Sequence, residues 1–243
     1  RRQRQMCIRD RWRTIMSEIN REQWIDLHKN KRYRPKYPSE TVVQFVFRNF
    51  ERDGKTKVLD LGCGAGRHVF FMGNENIIPY GIDFSDEGIE CTREMLKEHG
   101  FGQYADNMSV GTLTQLPYED SFFDGIICYG VLYYLPYEDI VKAVQEIKRV
   151  LKPGGKLLLV VRTLEDYRYN KSMETKEVHT IVINEGSEEK CAHSENGMLM
   201  HFFDEAELKQ LFSDFRELKI DYIKETHDNQ NFCDSNYIVT AER

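Results

Sequence analysis

From residue 57 onward, short apolar runs alternate with longer stretches in which apolar positions recur every three or four residues. The runs at 57–61, 77–83, 107–110, 124–128 and 155–161 have strand length and composition, and 66–73, 86–99 and 137–151 have helical spacing. This alternation predicts a mostly parallel sheet covered by helices on both faces. Upstream, Ser39 stands where a cap would open a helix that buries Val42, Val43, Phe45, Val46 and Phe50. Residues 12–29 carry Ile15, Ile19, Trp24 and Leu27 among charges, which predicts an amphipathic helix capping the fold. The C-terminal part predicts a helix over 204–212, a strand over 217–225 and a last strand over 236–241.

Two segments break the rhythm. Between Arg162 and Phe203 only 178–183 and 198–203 have strand character, and a charged loop over 185–196 joins them. An insertion over 162–203 is therefore expected above the carboxyl ends of the main strands, where open α/β sheets bind ligands. At the other end, the first eleven residues fit no helix or strand pattern and resemble translated adapter sequence, so they are set aside as non-biological. The organisation expected is thus an N-terminal cap over 12–37 and one domain over 38–243.

A chain of 243 residues can bury one substantial core. Its formal charge of −6 becomes more acidic still without the arginines of the first eleven residues. Such a surface offers no general attraction to phosphate backbones, so a nucleic-acid partner is disfavoured and a small molecule expected. No apolar run is long enough to cross a bilayer and no signal segment opens the chain, which together lead to the expectation of a cytoplasmic protein. Cys7, Cys63, Cys91, Cys128, Cys191 and Cys233 are scattered without paired spacing, as isolated reduced thiols would be. His179, Cys191, His193 and His201 share the insertion, but their spacing matches no zinc signature and no metal is expected.

The most informative stretch is residues 58–66, Val-Leu-Asp-Leu-Gly-Cys-Gly-Ala-Gly. An apolar strand here ends in an acidic residue, Asp60, and a turn with glycines at 62, 64 and 66. Glycines permit positive φ and a close approach of backbone to ligand, and the next helix aims its free N–H groups at the turn. The turn alone is compatible with nicotinamide, flavin or nucleotide-phosphate ligands. A second apolar strand ends in Asp83, where a dinucleotide-type unit holds a ribose.

Three further phrases follow in order: Asp83-Phe84-Ser85, then Phe123-Asp124-Gly125-Ile126-Ile127, then Leu151-Lys152-Pro153-Gly154-Gly155. With the Asp-x-Gly-x-Gly-x-Gly turn, they resemble the class I S-adenosylmethionine-dependent methyltransferases over roughly residues 38–161. The resemblance implies a Rossmann-like, doubly wound, seven-stranded α/β sheet with an antiparallel last strand, and S-adenosyl-L-methionine as cofactor. It places Gly62, Cys63, Gly64 and Gly66 on the methionyl part, Asp83 on the ribose diol, Phe84 on one adenine face, Thr112 and Leu113 on the adenine edge, and Tyr129 and Gly130 beside the sulfonium. Asp60 would order the turn or meet the amino group. Thr112 departs from the family, which usually carries an acidic residue near the adenine amine.

The same resemblance puts Tyr33 near the cofactor and Tyr37 toward the substrate in a segment that folds over the site as a lid. Tyr133 and Tyr134 are candidate acceptor-facing residues, Arg162 a candidate partner for an anionic acceptor, and His201 the candidate base. Transfer from a sulfonium needs alignment, exclusion of water and removal of a proton from a weakly acidic acceptor. Oxygen or nitrogen on a small metabolite is the expected acceptor atom. The chain lacks the Asp/Asn-Pro-Pro-Tyr/Phe phrase and the Pro-Cys nucleophile of DNA-base enzymes. Transfer-RNA or other RNA methylation, a non-catalytic cofactor-binding protein and a nicotinamide-dependent dehydrogenase remain the alternatives.

Overall fold

The structure, a computed structural model, describes residues 8–170 and 173–243. Helix α1 (Ile8–Lys29) precedes α2 (Glu40–Asn49), and strands and helices then alternate: β1 (Lys57–Leu61), α3 (Arg67–Asn74), β2 (Ile78–Asp83), α4 (Asp86–Glu98), β3 (Met108–Val110), β4 (Phe123–Tyr129), α5 (Tyr137–Val150) and β5 (Leu151–Arg162). The insertion contributes β6 (Thr180–Val182) and β7 (Leu199–His201), after which α6 (Glu205–Leu211), β8 (Arg216–His227) and β9 (Phe232–Glu242) complete the chain. Residues 1–7 lie outside the described residues. α1 takes in Ile8 to Arg11, for which the sequence predicts no element.

The seven-stranded sheet has the order β3-β2-β1-β4-β5-β9-β8, so the crossover between β3 and β4 returns the chain to the middle of the sheet. β1 to β5 run parallel, and β9 is antiparallel to both β5 and β8. The α/β class, the doubly wound order and the antiparallel last strand are all as expected. Side chains alternate across the sheet: Ile126 and Cys128 of β4 join one buried cluster with α5, while Ile127 joins another with Val42, Phe45 and Val46 of α2.

Several local expectations change. Ser39 precedes α2 but makes no side-chain cap; its backbone N–H instead donates to His68 Nε2 at 3.3 Å. β5 begins at Leu151, earlier than expected, and its register skips from Phe123/Leu151 to Gly125/Lys156, so the glycine-rich phrase is a bulge within the strand. Asp124 ties this region together by accepting the Lys57 N–H at 2.9 Å and Lys152 Nζ at 2.5 Å. β6 and β7 are shorter than predicted and form their own antiparallel pair above the main sheet.

On α1 the predicted apolar face is only half right. Ile15 is 45% exposed, while the polar Asn20 is buried. Asn20 Nδ2 donates to the carbonyls of Tyr134 (2.7 Å) and Leu199 (2.9 Å), and its Oδ1 accepts the Leu199 N–H at 2.8 Å. A polar side chain thus fastens α1 to the turn after β4 and to β7. Among the described residues no helix is long and apolar enough to cross a membrane.

Candidate functional site

A cavity of about 700 Å³ opens at the carboxyl ends of β1, β2 and β4 and extends beneath α1. Its volume falls within the range of about 300–1,000 Å³ usual for small-ligand sites. One end is made by consecutive residues of the turn after β1, from Gly62 to Arg67, with Asp83, Phe84, Thr112, Leu113, Tyr129 and Gly130 around them. Gly62 and Gly66 have φ of +72° and +82°, which side-chain-bearing residues adopt at a cost. Space excludes a side chain as well: a Cβ on Gly62 would lie 2.4 Å from Val131, and one on Gly66 would lie 2.5 Å from Thr92. The turn is therefore drawn tight between the end of β4 and helix α4.

Asp83 secures the turn from the next strand. Its buried carboxylate accepts the Gly64 N–H and the Ser85 N–H, each at 2.9 Å. Beneath the turn, Asp60 Oδ2 lies 3.6 Å from His68 Nδ1 and has no hydrogen-bond partner among the described residues. Asp60 does not reach the cavity wall. Burial, then the charges of Asp83 and Asp60, push the Cys63 thiol well above its ordinary range; burial foremost takes Cys128 to about 12. Burial thus disfavours the thiolate form at both sulfurs.

The other end of the cavity is built from distant parts of the chain: Asn20, Arg21 and Trp24 of α1, Tyr133 and Tyr134 after β4, Arg162 at the end of β5, and Glu195 in the insertion. Trp24 meets Tyr134 edge-on at 5.1 Å, and Tyr133 lies against Tyr134 at 4.6 Å. The Tyr133 hydroxyl is 3.4 Å from where a Cβ on Gly130 would sit, at the junction of the two ends. Tyr134 donates its hydroxyl proton to Glu195 Oε1 at 2.9 Å, and Arg168 Nε donates to Glu195 Oε2 at 2.5 Å. Arg168 reaches Asp234 at 2.6 Å, and Arg162 reaches Asp166 at 2.6 Å and Asp234 at 3.2 Å. Burial raises Asp234, but the Arg168 charge and hydrogen bond, with Arg162 and His227, outweigh it and hold the carboxyl below its ordinary range.

Most sequence candidates converge here: Gly62, Cys63, Gly64, Gly66, Asp83, Phe84, Thr112, Leu113, Tyr129, Gly130, Tyr33, Tyr133, Tyr134 and Arg162 all line one cavity. His201 does not. It is buried on β7 with Nδ1 2.8 Å from Thr180 Oγ1 and Nε2 3.1 Å from both Glu207 oxygens, so both ring nitrogens are engaged away from the cavity. Tyr37 is 75% exposed and also lies outside the wall. The sequence did not single out Glu195, Arg168, Asp166, Asp234 or Asn20. Their one visible signal is charge density in a segment without strand or helix pattern, and Asn20 has none.

Residues 59–159 match the family model described as a methyltransferase domain. The chain is 31% identical over 134 residues to a mouse protein named probable tRNA methyltransferase 9B, covering 54% of this chain and 27% of that protein. It is 34% identical over 104 residues to an uncharacterized methyltransferase of Bacillus subtilis, covering 43% of this chain and 40% of that one. The chain thus spans less than half the length of these curated relatives. Among solved structures, the Burkholderia thailandensis 1,6-didemethyltoxoflavin-N1-methyltransferase, with bound 1,6-didemethyltoxoflavin and S-adenosylhomocysteine, is 14% identical. It superposes with a TM-score of 0.64 over 95% of this chain and 90% of that one, a likeness of fold.

Proposed function

We propose that this chain, whose residues 59–159 match the methyltransferase domain model, is a class I S-adenosylmethionine-dependent methyltransferase that moves the donor's methyl group to oxygen or nitrogen of a small-molecule acceptor. The observation that carries this reading is the single cavity running from the glycine turn and Asp83 to the tyrosines and Glu195 under α1. Its volume suits a nucleoside-sized donor with a compact acceptor beside it.

The donor's residues fit the first end. A carboxylate has about four acceptor sites, so Asp83 can hold the turn and take ribose hydroxyls. The turn's backbone and the start of α3 would meet the methionyl part, Phe84 and Leu113 would flank the adenine, and Thr112 would offer a hydroxyl to its edge. Tyr33 and Arg67, both in the wall, would meet the donor's carboxylate. When bound, the donor supplies an electrophilic methyl carbon on a positively charged sulfur. The chain's share of the reaction is alignment across Gly130, exclusion of water by α1 and the tyrosines, and handling of the acceptor's proton.

The name of the mouse relative favours transfer-RNA as a second reading. Against it stand the chain's net charge of −6 and the helix over the acceptor end. One experiment separates the two: labelled methyl donor is supplied with either an ultrafiltered metabolite extract or bulk tRNA. Label in the extract is the expected result, and label in tRNA alone would replace the small-molecule reading. Calorimetric binding of S-adenosylhomocysteine, lost in Asp83→Ala, tests the donor site independently.

A further inference from the structure

The insertion places a carboxylate in the wall at the acceptor end, and its hydrogen bonds give that carboxylate a direction. Glu195 is nine-tenths buried, yet it lines the cavity together with Tyr134. One of its oxygens receives the Tyr134 hydroxyl, and the other receives Arg168. Arg168 is itself held by Asp166 and Asp234. The carboxylate is therefore fixed in position by one cation and presents its other oxygen to the phenol. Burial, with the Glu195 charge adding to it, pushes Tyr134 well above the ordinary phenol range, so the hydroxyl keeps its proton for donation.

On the methyl-transfer reading above, we propose that Tyr134 and Glu195 form the proton relay of the reaction, and that the acceptor accordingly bears an O–H or N–H rather than a thioether or a tertiary amine. Tyr134 is the catalytic residue, and Glu195 acts through it. The acceptor's O–H or N–H donates to the Tyr134 oxygen. As the acceptor lone pair forms its bond to the methyl carbon, the carbon–sulfur bond breaks and its electron pair remains on sulfur. The acceptor's proton passes to the Tyr134 oxygen while Tyr134's own proton passes to Glu195, leaving methylated acceptor, neutral thioether and protonated Glu195. Glu195 returns its proton to solvent when the products leave. Among the described residues, Tyr133, Arg162, Arg168, Asp166 and Asp234 surround the pair, Glu18 and Arg21 of α1 share its wall, and the Tyr134 hydroxyl donates to Glu195.

The test uses the full chain with labelled methyl donor and an ultrafiltered metabolite extract, at several pH values, beside calorimetry with S-adenosylhomocysteine. Glu195→Gln and Tyr134→Phe are each expected to lower the labelling rate by about 100-fold or more, the scale of general base catalysis. Affinity for S-adenosylhomocysteine should stay within about 3-fold of wild type, since donor and relay occupy opposite ends of the cavity. Combining the two changes should be little worse than either alone, because they disable one relay. Glu195→Asp should restore part of the rate, and the pH profile of Glu195→Gln should differ in shape from that of the wild type. Labelling at the wild-type rate in both variants would overturn the relay and leave methyl transfer standing. A loss confined to donor affinity would do the same. A wild-type protein that binds S-adenosylhomocysteine but labels nothing would overturn the transfer reading, and the relay with it.

Discussion

The two ends of the cavity are built by opposite means. At the end proposed for the donor, the wall is built around the backbone of consecutive residues, shaped by left-handed glycines between β4 and α4 and secured by Asp83. At the end proposed for the acceptor, the wall is side chain, gathered from α1, the turn after β4, the end of β5 and the insertion, and held by hydrogen bonds over long sequence separations. Backbone walls tolerate few substitutions and bind one shape. Side-chain walls can be rebuilt one residue at a time, which suits a domain whose donor stays constant while its acceptor varies.

If that contrast holds, the most damaging single change lies in the donor turn. Gly62→Ala must leave a left-handed φ or push aside Val131, and it should cost about 3 kcal/mol, read as a lower melting temperature together with loss of S-adenosylhomocysteine binding. Wild-type binding by this variant would show that the turn is less rigid than its contacts imply. Next in size, Asp83→Asn should weaken S-adenosylhomocysteine by roughly 10- to 100-fold in calorimetry, since it replaces a charged acceptor of two backbone N–H groups and, on the proposed reading, of the ribose by a neutral amide. Donor affinity unchanged in Asp83→Asn would move the ribose elsewhere.

The remaining predictions probe the acceptor end. Asn20→Ala leaves the Leu199 N–H and two carbonyls without their partner, and it should cost about 1–3 kcal/mol with faster hydrogen exchange confined to α1 and β7. Exchange that spreads through the sheet would mean that α1 is part of the core. The smallest effect concerns acid stability. Asp234 titrates below its ordinary value in the folded chain, so its contribution is present above the unfolded carboxyl range and fades as pH falls below about 4. Asp234→Asn should flatten that part of the stability profile, and an unchanged profile would remove Asp234 from the acid response.

The same contrast explains what could be read in the sequence. Strand ends, glycine turn and Asp83 are contiguous or one βα unit apart, so their spacing reports their geometry. Tyr134 and Glu195 are 61 positions apart, and Asn20 and Leu199 are 179 apart, so no local pattern marks either pair. Helical periodicity also misplaces the buried face of α1, favouring Ile15 over Asn20, because the interface beneath that helix contains buried backbone groups of Tyr134 and Leu199 that need a polar partner. His201 sits in a phrase that resembles its relatives, but Thr180 and Glu207 occupy both its nitrogens, and only coordinates reveal that.

The Asn20 clamp joins α1, the tyrosine turn and β7 at one amide. Three hydrogen bonds from one side chain thus tie α1 to two segments more than sixty positions apart in sequence.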